Sequence, residues 1–205
     1  METTPGHSHT AFKRRVASAS RWLHIYLSMA SFAILFFFAV TGLTLNHTEW
    51  FGAQPRVAQQ KSNLETKWIK APDAEVNKLA IVEHLRNAHG IKGALSDFRL
   101  DDSQVSVSFK GPGYAADAFI NRETGEYELT ETRNGFVAII NDLHKGRDTG
   151  KTWSFMIDLS AVLMTLVSLT GMVLLWFVKR RRFSGFILAG IGAVVCYLIY
   201  LFLIP

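Results

Sequence analysis

Three long stretches almost without charge constrain this chain more than anything else. Residues 22–45 and 183–205 contain no Asp, Glu, Lys or Arg, and residues 155–178 contain only Asp158. A hydrocarbon layer of about 30 Å is crossed by about 20 apolar residues in helix, so all three read as membrane spans. The stretch 46–154 carries 14 Lys/Arg against 15 Asp/Glu and is the aqueous part. The excess positive charge lies in two short clusters, Lys13, Arg14, Arg15 and Arg21 before the first span, and Lys179 to Arg182 between the second and third. The positive-inside rule puts both in the cytoplasm, with 46–154 and the C-terminus outside. The net charge of +5 is therefore a topology signal and no footprint of nucleic acid. A soluble enzyme is excluded too. The lone Cys196, in an apolar run, leaves no disulfide framework and reads as a packing residue. A cleaved signal peptide is the rival reading of the first run, but that run is too long, and Leu45-Asn46-His47 offers no small-residue cleavage site. We read it as an uncleaved anchor.

The expected organisation follows. Residues 1–21 form a cytoplasmic segment whose first dozen are polar and unstructured. Residues 22–47 are membrane helix one, with Trp22 and Tyr26 at the interface, where amphipathic rings are favoured. Residues 48–72 lack a sustained period and read as a linker. Apolar positions 76, 79, 82 and 85 recur at helical spacing, so 73–89 reads as an amphipathic helix with Asp73 as N-cap and His89-Gly90 as its end. Strands are expected at 96–100, 104–110, 114–121 and 126–132. Val105, Val107 and Phe109 alternate strictly with Ser106, Ser108 and Lys110, and Arg122-Glu123-Thr124-Gly125 reads as a hairpin turn. Residues 73–135 thus form one small outer domain. Residues 136–154 are a short amphipathic helix (136–145) and a return loop. Residues 155–178 are span two, 179–182 a basic cytoplasmic loop, and 183–204 span three.

The helix, the strands and the hairpin Ala118-Phe119-Ile120-Asn121-Arg122-Glu123-Thr124-Gly125-Glu126-Tyr127 resemble a PepSY domain. The flanking pieces extend the likeness: Arg21-Trp22-Leu23-His24, Thr41-Gly42-Leu43-Thr44-Leu45-Asn46-His47, Asn141-Asp142-Leu143-His144-Lys145-Gly146, and Leu169-Thr170-Gly171-Met172. Nearly the whole chain is similar to PepSY-associated transmembrane proteins. The fold class is therefore a three-span α-helical membrane protein with a small α+β extracytoplasmic PepSY-like domain. The resemblance implies a bacterial inner-membrane protein with a periplasmic central domain. Larger relatives include siderophore-iron reductases that carry haem on membrane histidines. This chain departs from them in having three spans where they have four or more.

The chemistry-bearing candidates are histidines. His7 and His9 lie in the polar tail. His84 and His89, five apart on the outer helix, do not share a helical face and read as surface residues. His24, His47 and His144 differ, because an ionisable group at a membrane span is costly and tends to be functional. His24 sits near the cytoplasmic edge, either pairing with lipid phosphate or backbone, or ligating. On a helix rising about 1.5 Å per residue, His47 lies roughly 35 Å from it, so the two cannot share one iron. His47 and His144 arrive at the outer face from different helices, the topology that bis-imidazole ligation of haem b needs. Two satisfied interfacial histidines, or a non-haem metal site, remain alternatives. Asn46 and Asp142 are candidate acceptors for the imidazole N–H of such ligands. Trp50 and Trp153 flank the site or belong to an aromatic belt. Arg147 and Lys151 meet haem propionates or are plain loop cations. Asp158 reaches the interface or relays protons. Glycines 42 and 171 admit a flat macrocycle or close helix packing.

Two functions of different class follow. One is a b-haem electron-transfer subunit of ferric-reductase type. It would take electrons from quinol or a redox partner protein, with a homodimer as one route to a second haem at His24, and pass them to an extracytoplasmic acceptor. The other is a non-redox PepSY interaction module, or an accessory subunit of metal uptake. Membrane lipid is the shared partner; nucleic acid is not expected.

Overall fold

A computed structural model describes residues 6–51, 54–70 and 76–204. In chain order the elements are helix α1 (Gly6–Asn46), a 3₁₀ turn (Thr48–Phe51), β1 (Arg56–Asn63), a second 3₁₀ turn (Thr66–Trp68), α2 (Lys78–His89), β2 (Ala94–Leu100), β3 (Gln104–Gly111), β4 (Tyr114–Asn121), β5 (Glu126–Arg133), α3 (Phe136–Lys145), α4 (Gly150–Phe177) and α5 (Arg182–Leu203). They divide into two compact units. One comprises residues up to Phe36 together with Asp158 onward, and the other comprises Phe37–Ile157.

The first unit is helical. Ala11–Asn46, Gly150–Phe177 and Arg182–Leu203 are each long and apolar enough to cross a membrane, in agreement with the three spans expected. Their surfaces are covered by exposed apolar side chains such as Phe32, Phe36, Leu188 and Phe202. That is the surface a helix shows to lipid, where its own backbone bonds are the only ones available. Between α4 and α5 the basic residues form a tight turn, in which the amides of Arg181 and Arg182 both donate to Val178 O. Trp176 meets Phe186 across it, centroids 5.9 Å apart. The helix α1 begins at Gly6, so much of the tail expected to be unstructured is helical.

In the second unit an antiparallel sheet runs in the order β1-β5-β4-β3-β2. The alternation of β3 buries Val105, Val107 and Phe109; in register beside them lie Ile120, Ala118 and Ala116 of β4. Tyr127 and Leu129 of β5, with Ile81, Val82 and Leu85 of α2, belong to the same cluster. The core therefore sits on one face of the sheet, under the apolar stripe of α2. The β4–β5 hairpin is the turn expected. Asn121 Oδ1 accepts from the amides of Glu123 and Thr124, and Gly125 takes φ +80°.

Three local expectations change. The segment read as a linker contains β1, which pairs along its whole length with β5, from Arg56 opposite Arg133 to Asn63 opposite Glu126. All eight of its residues are exposed, so the ladder bonds hold it without an apolar face to betray it. The helix α2 starts at Lys78, capped by Asn77, whose Oδ1 accepts from Ala80 N at 3.0 Å; the expected cap, Asp73, lies outside the described residues. And α4 starts at Gly150 rather than near 155, leaving a return of four residues after α3. That turn is closed by Thr149 Oγ1 donating to Gly146 O and by left-handed Gly146, Asp148 and Gly150.

Val107 is 1% exposed, so Val107→Asp buries a carboxylate at a cost of several kcal/mol, roughly. The full-length variant should still fractionate with membranes while residues 76–133 become protease-sensitive; unchanged resistance there would contradict the packed sheet. Gly125→Ala adds a Cβ 2.6 Å from Leu64 O at a left-handed position and should cost more than about 1 kcal/mol in the same assay.

Candidate functional site

Each unit holds one half-buried histidine against a helix that carries a Thr-Gly pair. In the second unit His144 stands near the end of α3, a short helix with a pronounced apolar face. Its Nδ1 lies 2.6 Å from Thr41 Oγ1 on α1, and its ring meets the edge of Phe38 at 5.0 Å. Thr41 is 2% exposed and donates its own proton to Phe37 O at 2.6 Å. With that proton committed, Thr41 Oγ1 can only accept, so the imidazole Nδ1 donates. A neutral imidazole has one N–H, and Nε2 is left as the lone-pair nitrogen. The helix is fixed around this contact. Thr44 donates to the buried Asn141 Oδ1 at 2.7 Å, and Trp153 Nε1 donates to Leu143 O at 2.7 Å. Burial, and secondarily the charge of Lys145, pushes the His144 pKa below its ordinary 6.5, which favours the neutral ring.

In the first unit His24, on α1, lies against α4. Its Nδ1 is 3.1 Å from Val167 O and 3.1 Å from Thr170 Oγ1. A carbonyl only accepts, so this Nδ1 also donates. Thr170, like Thr41, spends its proton on carbonyls of its own helix, Leu166 O and Val167 O, each at 2.9 Å. His24 therefore bonds to helix backbone and hydroxyl rather than waiting on a lipid headgroup.

The other expected site residues are placed differently. His47 is engaged by its sequence neighbours: Nδ1 is 3.3 Å from Glu49 Oε1, Nε2 is 3.4 Å from the Asn46 amide, and the ring stacks on Trp50 at 3.8 Å. Among the described residues it makes no contact with His144. Asp142 does not reach an imidazole; its Oδ2 accepts from Gly113 N at 2.8 Å, and Arg147 stands 4.0 Å from its other oxygen. The acceptor that holds His144 is Thr41, and the side chain beside it on α3 that reaches α1 is Asn141. Sequence reasoning passed over both threonines. The available signal was a hydroxyl directly before a glycine in two separate apolar runs. Asp158 lies exposed on α4.

His84 and His89 are half-buried rather than on the open surface. His89 links the sheet through both nitrogens, to Gln60 Oε1 at 2.8 Å and the Tyr127 hydroxyl at 2.7 Å. Burial first, then His84, lowers its pKa, with Glu131 opposing. The side chains of His7 and His9 fall outside the described residues.

Among the described residues no three or more His, Cys, Asp or Glu side chains gather as a metal-ligand set. The donor set that exists is single imidazoles with their second nitrogen fixed by the protein. A single imidazole of this kind could hold a haem iron, a group that would bring its other donors with it. His24 and His144 would be the residues to hold it.

Because its folded-state pKa is depressed, His144 contributes stability fully present above pH 6.5 and lost as the pH falls from there toward the lowered value. Protection of the α3 amides, measured as hydrogen exchange corrected for the intrinsic rate at each pH, should fall on acidification through that window, and His144→Gln should remove the dependence. Reading the α3 amides separates this effect from His89, which shifts in the same direction elsewhere. α3 protection that rises on acidification would have the wrong sign.

The sequence matches a family model described as PepSY_TM-like over residues 18–205. No curated protein and no solved structure matches the chain.

Proposed function

We propose, from the premise that the chain belongs to the PepSY_TM-like family, that it is a b-haem electron-transfer subunit of the bacterial inner membrane. In this reading the N-terminus and the Lys179–Arg182 turn face the cytoplasm, where positive charge is retained, and the sheet domain is periplasmic. The observation that supports it most is the His144 imidazole, half-buried, held neutral, and pinned through Nδ1 by Thr41 so that Nε2 is free to ligate. A haem b bound there would supply a one-electron carrier at the outer face. Thr41 fixes the ring's tautomer, Asn141 and Trp153 fix the helix that carries it, and Phe38 packs crosswise against the ring. His47 serves as the second ligand only if its ring leaves Glu49, Asn46 and the Trp50 face; a histidine of a second copy in a homodimer is the other source. Electrons would come from quinol or a partner protein and leave to a ferric siderophore, another metal complex or a flavoprotein.

An absorption spectrum of the purified protein, produced with ample haem and recorded oxidised and reduced, tests this. A low-spin haem spectrum is expected. His144→Ala should abolish the outer-face component, while His84→Ala and His89→Ala leave it intact. His47→Ala decides between the two sources of the second ligand. Wild-type protein without a Soret band would sink the reading and promote a non-redox interaction module, or a metal-uptake accessory, in its place. Orientation has its own test. Protease added outside spheroplasts should cut within residues 46–149 and spare residues 179–182; the reverse pattern would invert the topology.

A further inference from the structure

We propose that Thr41-Gly42 and Thr170-Gly171 are one device used twice, a hydroxyl that accepts the Nδ1–H bond of an incoming histidine followed by a glycine that lies against the ring's Cε1 edge. By this device His24 is a second metal-ligating imidazole of the same build as His144. The proposal deepens the haem reading, on which it rests for the identity of the metal. The tautomer itself does not depend on that reading.

The two places agree in chemistry although they belong to separate units and join different elements. At the first, a helix outside the spans brings His144 to α1. At the second, α1 itself brings His24 to α4. In both, a threonine in an apolar helix donates to a carbonyl three or four residues earlier, which leaves its oxygen as an acceptor only. In both, Nδ1 is the ring atom that meets it. In both, the next residue is glycine and faces Cε1. A Cβ at Gly171 would stand 3.1 Å from His24 Cε1, tighter than ordinary contact; one at Gly42 would stand 3.7 Å from His144 Cε1, an ordinary contact, so the glycine is demanded beside His24 and only lies beside the ring at His144. Neither Nε2 has a hydrogen-bond partner among the described residues. A neutral imidazole whose Nδ1–H is taken by the protein is the form that binds a borderline metal through Nε2.

Thr41 and Thr170 are thus positioning residues, and the two sites differ in one testable respect. His144 depends on Thr41 alone, whereas Val167 O remains for His24 if the Thr170 hydroxyl is removed. The experiment uses full-length protein without haem in nanodiscs, ¹⁵N-labelled at histidine, and reads long-range proton–nitrogen correlations above pH 7. Wild type should show Nδ1–H and a bare Nε2 for both His24 and His144. Thr41→Val should lose that preference at His144 and Thr41→Ser should restore it, while Thr170→Val should leave the His24 tautomer in place. Nε2–H at either histidine in wild type would overturn the device whether or not haem binds. A hemin titration of the same preparation then tests the second site. His24→Ala should bind about half the hemin of wild type and keep a redox-active remainder. Undiminished hemin in His24→Ala would overturn His24 as a ligand. Both wild-type tautomers as stated, with no hemin bound at all, would leave the device standing and retire the haem reading.

Discussion

Within hydrocarbon a hydroxyl or imidazole has no water to bond, so its partner must come from the chain itself. The membrane helices meet this demand locally. Ser31 donates to Leu27 O, Thr41 to Phe37 O, Thr165 to Ala161 O, Ser168 to Met164 O and Thr170 to Leu166 O. Each such bond satisfies a donor and at the same time creates an acceptor, because the hydroxyl oxygen keeps its lone pairs. Two of these acceptors are taken by histidines. The polar chemistry of the spans is therefore sparse and directional: the helix first absorbs the hydroxyl proton, and what remains decides which ring nitrogen the neighbouring imidazole turns inward.

The aqueous domain obeys the opposite economy. There the backbone is paired by the sheet, and the specificity lies in which face is apolar. Three alternating strands and the stripe of α2 close a core on one side, and the polar edge strand β1 is held on β5 by its ladder bonds with no buried side chain of its own. Lys61 and Arg56 on that edge are the kind of charge that discourages further strands from adding. His89 ties α2 to β1 and β5 through Gln60 and Tyr127, so the helix is fixed by polar bonds at its end as well as by burial along its length.

What could be read from the sequence was whatever leaves a periodic or compositional trace. The spans are legible as uncharged runs, β3 as alternation, the β4–β5 turn as Arg122 to Gly125, and α3 as a short amphipathic stretch ending at Lys145. β1 was hidden because a strand exposed on both faces has no alternation to show. The early start of α4 was hidden because Lys151 and Thr152 look like loop. The histidines were visible as candidates, but their partners were not. Asn46 and Asp142 are adjacent in sequence to His47 and near His144, and adjacency suggested them. The contact that holds His144 is instead made by Thr41, far away in the chain, and only packing of α3 on the end of α1 creates it.

The same short helix has a second attachment. Asp142 on α3 accepts from the amide of Gly113 at the β3–β4 turn, where a Cβ would collide with Ile139 at 2.5 Å. One rigid element thus touches the sheet with one side chain and positions the membrane-side imidazole with another, two residues on. Linkage then runs both ways. Were a molecule to grip the sheet more firmly in one setting of α3 than in another, it would change the affinity of a ligand at His144 by that same factor, and the converse would hold equally. The two contacts share one short helix, so neither Asp142 nor His144 can be repositioned on its own while α3 stays whole.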